Sequence, residues 1–132
     1  MKALFDAIEL EYVDTALDTA TTGIYHVYAP VTVKMPYVTY LLLGNIPDRT
    51  NRSGGLQVCE NARLQISVWT PGFDSADCLA LYSLLTAVYD DAVLTVAGYH
   101  HIQMTRASDN LVADPEGGWQ YAVEYEVSIQ EV

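Results

Sequence analysis

The feature that most constrains the fold of this chain is a long alternation of side-chain types near its end. Between Tyr121 and Ile129 every second residue is apolar or aromatic, and the residues between them are small, polar or acidic. Because successive side chains of a β-strand point to opposite faces, this pattern predicts a strand over Trp119–Ile129 with one face buried. The same alternation runs from Arg63 to Val68. The sequence therefore predicts an antiparallel sheet that is covered on one side.

Further strands are predicted where aromatic and β-branched residues gather between prolines and glycines. These segments are Ile24–Tyr28, Tyr37–Leu43, Ala92–Val96 and Tyr99–Arg106. Between Gly44 and Gly55, turn-forming residues predominate and enclose Arg49 and Arg52, which are two of the six basic residues of the chain. This composition predicts a long, exposed and locally basic loop.

Two helices are predicted from a period of 3.6 residues. The first spans Leu4–Val13, where the apolar residues share one arc and the acidic residues lie elsewhere. A loop is predicted to follow it over Thr15–Gly23, and the second helix spans Ser75–Tyr89. The order of elements predicts an α+β fold, with an antiparallel or mixed sheet and two helices packed on one face.

The second helix carries small residues on the side that its core-facing arc does not use. These are Ala76, Ala80 and Ala87, and Leu79 lies beside them. Small residues let another backbone approach closely, so either the first helix packs on this stripe or a second subunit does. Leu79 is therefore a candidate interface residue.

Length and charge limit the classes of function. The 132 residues are expected to form one domain over 1–132, and 17 acidic against 6 basic residues give a formal net charge of -11. A surface of this sign repels phosphate and disfavours tight binding to a nucleic-acid duplex. Apolar runs such as Tyr40–Leu43 are too short for a membrane span, and no signal peptide is predicted. Cys59 and Cys78 are expected to be reduced thiols.

No catalytic, cofactor-binding or metal-binding residues are predicted. The adjacent His100 and His101 lie on a predicted strand, where their side chains point to opposite faces and cannot share one ion. No phosphate-binding loop and no nucleophile motif occurs in the sequence. The aromatic Trp69 falls on the polar side of its strand, so it either contacts a partner or covers the rim of the core beside Pro71.

Several segments together resemble the tail-terminator, or tail-completion, proteins of long-tailed bacteriophages. They are the strand Arg63–Thr70 with the turn and helix that follow it, the Pro36-Tyr37 pair before a strand, and the closing stretch Gly118–Val123. The resemblance covers most of the chain. It implies a structural virion protein of the head-tail junction that is made in the bacterial cytoplasm and is not an enzyme.

The resemblance also implies how such a protein acts and with what. It implies a ring of identical subunits, six in number, that caps the tail tube, stops its polymerisation and provides the surface for joining the head. The partners would be other copies of the chain, the tail tube protein and a head-tail connector protein, while DNA passes through without specific binding and no membrane is involved. Arg49, Arg52, Trp69, Leu79 and Trp119 are the candidate interface residues.

The sequence also allows two other interpretations of the function. A connector or stopper protein of the phage neck would be similar in size and would also form a ring. A small ligand-binding module, which belongs to a different class, could use the same sheet and helices around an apolar pocket lined by tyrosines.

Overall fold

The protein is described from a computed structural model that covers residues 2–49, 58–72, 74–115 and 117–131, with the backbone alone at 46–49, 58–60, 101, 102 and 131. Within these residues, three helices and five strands follow one another. In order they are α1 (Lys2–Tyr12), α2 (Ala16–Ala20), β1 (Ile24–His26), β2 (Tyr37–Arg49), β3 (Val58–Thr70), α3 (Ala76–Tyr89), β4 (Tyr99–Ala113) and β5 (Trp119–Glu131).

The five strands form one mixed sheet in the order β1-β2-β3-β5-β4. Only β1 and β2 are parallel, and every other neighbouring pair is antiparallel. The central strand β3 pairs with a long strand on each side, so that Ile66 lies between Tyr40 of β2 and Val123 of β5. This confirms the predicted α+β class with a mixed sheet.

The face of the sheet that the helices cover contains the core. The alternation in β3 and β5 places Leu64, Ile66, Val68, Val123, Tyr125, Val127 and Ile129 there, each at most 1% exposed. Leu4 and Ile8 of α1 and Leu85 of α3 pack against them. Complete burial of each large apolar side chain contributes roughly 1.5–3 kcal/mol, so the apolar residues of this alternation stabilise the packing of the helices on the sheet.

Hydrogen bonds between buried aromatic residues and α1 fix the position of that helix. The Tyr89 hydroxyl of α3 donates to the backbone carbonyl of Ile8 at 2.8 Å. The Tyr40 hydroxyl of β2 donates to the Glu9 carboxylate, also at 2.8 Å. Since Tyr89 is fully buried, its hydroxyl needs this partner, and the bond ties α1 to α3.

The predicted loop over Thr15–Gly23 contains a helix, α2, and this expectation was wrong. The Thr15 hydroxyl accepts a hydrogen bond from the Asp18 backbone N–H at 3.2 Å and caps the helix. Leu17 is completely buried and anchors the helix to the core. A helix of five residues is too short to show a 3.6-residue period, so its sequence resembles a loop.

Two other boundaries also differ from the prediction. The chain from Gly44 to Arg49 is not a loop but continues β2, because it pairs with Arg63–Val58 of β3, which itself pairs with β5. The segment Ala92–Val96 is not a strand. Its alternation arises because Leu94 and Val96 of an irregular segment enter the core at 3% and 5% exposure.

Candidate interaction surfaces

The side of the sheet away from the helices, here called the open face, is mainly polar. Its side chains include Tyr37, Thr39, Leu41 and Leu43 of β2, Arg63, Gln65, Ser67 and Trp69 of β3, Val112 of β4, and Gln120, Ala122, Glu124, Glu126 and Ser128 of β5. Many of these groups bind one another. Gln65 and Gln120 both donate to the Ser67 hydroxyl, at 3.2 and 3.1 Å. The open face is therefore an ordered polar surface.

One arginine forms ion pairs with two carboxylates near the middle of the open face. The Arg63 guanidinium lies 3.6 Å from the Glu124 carboxylate and 3.4 Å from that of Glu126. All three side chains are at least one-third exposed, so solvent screens the pairs and each contributes little to stability. The group leaves this part of the open face weakly acidic.

The indole N–H of Trp69 makes a hydrogen bond within the protein. It donates to the hydroxyl of Thr39, which is 5% exposed, at 2.8 Å. The Trp69 ring lies 6.4 Å from that of Tyr37 at an interplanar angle of 33°. The ring also forms part of a groove of about 350 Å³ together with Val27 and Tyr28. Trp69 is thus held in place by the sheet and presents part of its ring to a surface groove.

Exposed apolar side chains are frequent along the chain from β1 into β2, and two of them, Val27 and Tyr28, line this groove. We call all of them the β1-side patch, and they are Val27, Tyr28, Val31, Met35 and Leu43. Tyr28 is 82% exposed and Val31 is fully exposed. Grouped exposed apolar residues mark contact sites more often than scattered ones do. Sequence reasoning missed this patch, although the apolar character of the connection between β1 and Pro36 could have indicated it.

The small-residue stripe on α3 remains uncovered. Ala76, Ala80 and Ala87 are exposed, and Leu79 is 45% exposed. Packing of the first helix on this stripe was one of the two interpretations, and it is wrong, because α1 meets α3 at the buried Tyr89 instead. Contact between Leu79 and another subunit stays a prediction.

The other predicted interface residues that the structure describes lie in different parts of the fold from Trp69. Trp119 is the first residue of β5 and pairs with Thr70, so it projects to the opposite side of the sheet from Trp69. Arg49 is the last residue of β2 and its backbone pairs with Val58, while Arg52 lies outside the described residues. With Leu79 on the helical layer, the three described side chains of Trp69, Trp119 and Leu79 do not form a single site.

A cluster of aromatic and charged residues, here called the β4 cluster, connects α3 to β4 and β5. The rings of Tyr82 and Tyr121 stack at 3.9 Å with an interplanar angle of 13°. The Asp109 carboxylate accepts hydrogen bonds from both hydroxyls, at 2.8 and 3.1 Å. Arg106 contacts the Tyr82 hydroxyl and forms ion pairs with Asp109 at 3.3 Å and with Asp90 at 3.5 Å.

The β4 cluster keeps its tyrosines protonated. Partial burial, followed by the hydrogen bond to Asp109 and the charge of that carboxylate, raises the pKa of Tyr82 to about 12. Burial and the hydrogen bond to Asp90 also raise the pKa of Tyr125. Tyrosines in this state donate hydrogen bonds and do not act as bases near neutral pH. The cluster therefore positions the edge of the sheet, and its members are too far apart in sequence to be recognised as a motif.

Other features bear on metal binding, thiol chemistry and membrane insertion. No group of three or more histidine, cysteine, aspartate or glutamate side chains in the described part of the chain could hold a metal ion. Cys78 is a free thiol in the core, and burial raises its pKa. None of the described helices is long and apolar enough to span a membrane.

Comparison with known proteins gives a result at the level of structure only. No protein-family model and no curated protein matches the sequence. The fold matches a chain of a gene transfer agent virion. The solved structure is that of the virion of a native gene transfer agent particle, and the match has a TM-score of 0.81. It covers 98% of this chain and 96% of that chain at 15% sequence identity. Similarity at this level of identity shows that the two chains share a fold.

Proposed function

We propose that the protein is a structural component of a phage-like virion and acts there as a tail terminator. Six copies would form a ring on the last layer of the tail tube, stop its polymerisation and offer the surface to which the head is joined. The observation that carries this proposal is the match to a gene transfer agent virion chain over nearly the full length of both chains. The whole fold, and not a fragment of it, is shared with a virion subunit.

The surfaces of the molecule support a role in assembly. The β1-side patch offers exposed apolar area, of which Val27 and Tyr28 line the groove at Trp69, and the uncovered stripe on α3 offers a second contact region. An identical patch on every copy, used against a different surface of the next copy, generates a ring when the rotation between copies closes. A protein that acts by shape needs such paired surfaces and needs no reactive group.

The distribution of charge supports the passage of DNA through the ring. The helical layer and its loops carry Asp6, Glu9, Glu11, Asp14, Asp18, Asp74, Asp77, Asp90 and Asp91. Within residues 2–23 and 74–97 the sequence has Lys2 as its single basic residue. A channel wall built from this layer would repel phosphate groups and let DNA pass without holding it.

Deletion of the gene from the genome that produces the particles tests this role. For a tail terminator we expect tails of uncontrolled length that carry no heads, because tube polymerisation no longer stops. Loss of a neck connector or stopper would instead leave tails of normal length beside unjoined heads. Electron microscopy of the particles distinguishes these outcomes, and normal particles, or absence of the protein from purified virions, would contradict the proposal.

The groove beside Trp69 is the observation that favours the ligand-binding alternative, since Tyr28 and Tyr37 line it. A thermal-shift screen against metabolites tests that alternative directly. A ligand that binds the folded chain raises the unfolding temperature by mass action. For a ring component we expect no metabolite to do so, whereas a saturable stabilisation that is lost in Tyr28→Ala would favour the binding module.

A further inference from the structure

We infer that neighbouring copies join through the two edges of the sheet, with the second half of β4 in one copy antiparallel to β1 of the next. This inference rests on the proposed ring and names the contact that closes it. The occupant of each edge is therefore a second copy of this chain. Its basis is the topology of the sheet and the residues exposed at its two edges.

Each edge of the sheet has backbone groups that no other described strand uses. β4 pairs on one side only, with β5, along Tyr99–Ala113. At the opposite edge β1 pairs only with β2, through Val38–Tyr40. Free N–H and C=O groups along a strand bind a further strand readily. The two edges are thus the places where the sheet can be extended.

The strand directions allow both edges to be used in one ring. β4 is antiparallel to β5, β5 to β3, and β3 to β2, while β1 is parallel to β2. It follows that β4 runs opposite to β1. Two copies in the same orientation therefore bring β4 of one beside β1 of the other as an antiparallel pair. Because the contact uses two different edges, it is of the head-to-tail type that closes into rings.

The second half of β4 is the part that is suited to pairing with a strand of another copy. The register of β4 against β5 shifts between His101 and Gln103 and again between Arg106 and Ser108. Bulges of this kind disturb an edge and discourage further pairing. From Ser108 to Ala113 the register is unbroken. This stretch lies at the height of β1, because Asn110 follows the row of Ala122, Ser67, Thr39 and Tyr25 across the sheet.

The exposed apolar side chain of Val112 lies on β4 at the height where β1 begins. Val112 is 41% exposed on β4 and belongs to the row of Tyr37, Trp69 and Gln120 on the open face. At the β1 edge this row meets Gly23, over which the Tyr25 side chain lies, and the Tyr25 ring packs edge-on against the Tyr37 ring at 6.2 Å. Edge pairing in the register that places Asn110 opposite Tyr25 would put Val112 of one copy beside the Tyr25 ring of the next and would remove its apolar surface from water.

The charges at the two edges are also complementary. Lys34 is exposed in the connection between β1 and β2, where the Thr22 hydroxyl binds its backbone carbonyl at 2.9 Å. Asp114 is exposed and directly follows β4. In a molecule with a net charge of -11, a cation at one edge and an anion at the matching end of the other favour the head-to-tail arrangement over contact between like edges.

Disulfide cross-linking tests the contact in preparations where electron microscopy shows rings. In a Cys59→Ser background, which retains the buried Cys78, the double variant Tyr25→Cys/Asn110→Cys should form a ladder of cross-linked species up to the full ring. Each single variant should stay uncross-linked. The matched control Tyr25→Cys/Ser83→Cys moves one thiol to the exposed surface of α3 and should also give no ladder.

The other outcomes separate this inference from the proposed function. The edge contact is overturned if rings form but give no ladder with any combination of one β4 variant and one β1-side variant. The β4 variants are Asn110→Cys and Val112→Cys, and the β1-side variants are Tyr25→Cys and Val27→Cys. The ring proposal would still stand after that result. Dimers of the single variant Asn110→Cys would show that two β4 edges meet about a two-fold axis, which also overturns the edge contact. If no ring forms in solution or on tail tubes, both proposals fail.

A substitution at the edge provides an independent measurement. Val112→Asp places a carboxylate in the contact and should raise the protein concentration needed for half-assembly by about tenfold or more. Thr95→Asp, at an exposed position of an irregular segment, adds the same charge away from the edges and serves as the control. Equal assembly of the two variants, with unchanged circular dichroism, would contradict the edge contact.

Discussion

At the scale of single residues, Trp69 stabilises the protein through a bond that its position in the sequence does not reveal. The Thr39 hydroxyl that accepts its N–H is 5% exposed. Trp69→Phe leaves this buried group without its donor, and we expect the free energy of unfolding to fall by about 1–2 kcal/mol. Urea denaturation measures the change.

A double-mutant cycle provides the control for the Trp69 prediction. Thr39→Val removes the other partner of the bond, so the double variant Trp69→Phe/Thr39→Val should lose less stability than the sum of the two single changes. Simple additivity would indicate that the hydrogen bond does not contribute and that the ring of Trp69 acts by packing alone.

The pKa of Tyr82 predicts a dependence of stability on alkaline pH. In the folded protein this pKa is raised to about 12 from an ordinary value of 10.0, so the folded state holds the proton more tightly than the unfolded state. The resulting stabilisation is complete below about pH 10 and is lost as the pH rises towards 12. We expect Tyr82→Phe to reduce the slope of stability against pH in this interval.

The measurement for Tyr82 is the urea midpoint at a series of pH values between 9 and about 12. Tyr28→Phe is the matched control, since Tyr28 is 82% exposed. Burial also raises the pKa of Tyr89 and Tyr125, so the wild-type protein should lose stability over a wider range than one tyrosine accounts for. An unchanged slope in Tyr82→Phe would refute the assignment.

At the scale of elements, the docking of α1 depends on Tyr89. Its hydroxyl is the buried donor to the Ile8 carbonyl. We expect Tyr89→Phe to lower the free energy of unfolding by about 1 kcal/mol, because the ring remains in the core and only the hydrogen bond is lost. Hydrogen exchange should become faster for the amides of α1 than for those of β3, and equal effects on both would contradict a local role.

The elements with a regular pattern could be predicted from sequence, and the others could not. The core strands β3 and β5 were identified because a period of two is a local signal, and α3 because its apolar arc spans four turns. The continuation of β2 past Gly44 depends on pairing with β3, which local composition does not show. The segment with Leu94 and Val96 was misassigned because burial alone produced its alternation.

At the scale of the whole molecule, the sequence indicated surfaces but not their arrangement. Trp69 was correctly placed on the outer side of its strand, yet the groove beside it requires β1 and β2 to meet β3. The edge position of β4 follows from the order of strands, which the linear sequence does not reveal. Contacts between elements far apart in the chain decide both features, and these are what pattern analysis lacks.

The net charge of -11 predicts how ring assembly responds to salt. Like-charged copies repel one another, and this repulsion acts over about 30 Å at 0.01 M salt but only about 8 Å at 0.15 M. Because exposed ion pairs contribute little, we expect the repulsion to dominate and added salt to lower the protein concentration needed for assembly. Light scattering over a concentration series measures this, with sucrose at matched osmolality as the control. Assembly that weakens as salt is added would instead show that ion pairs between subunits dominate the contact.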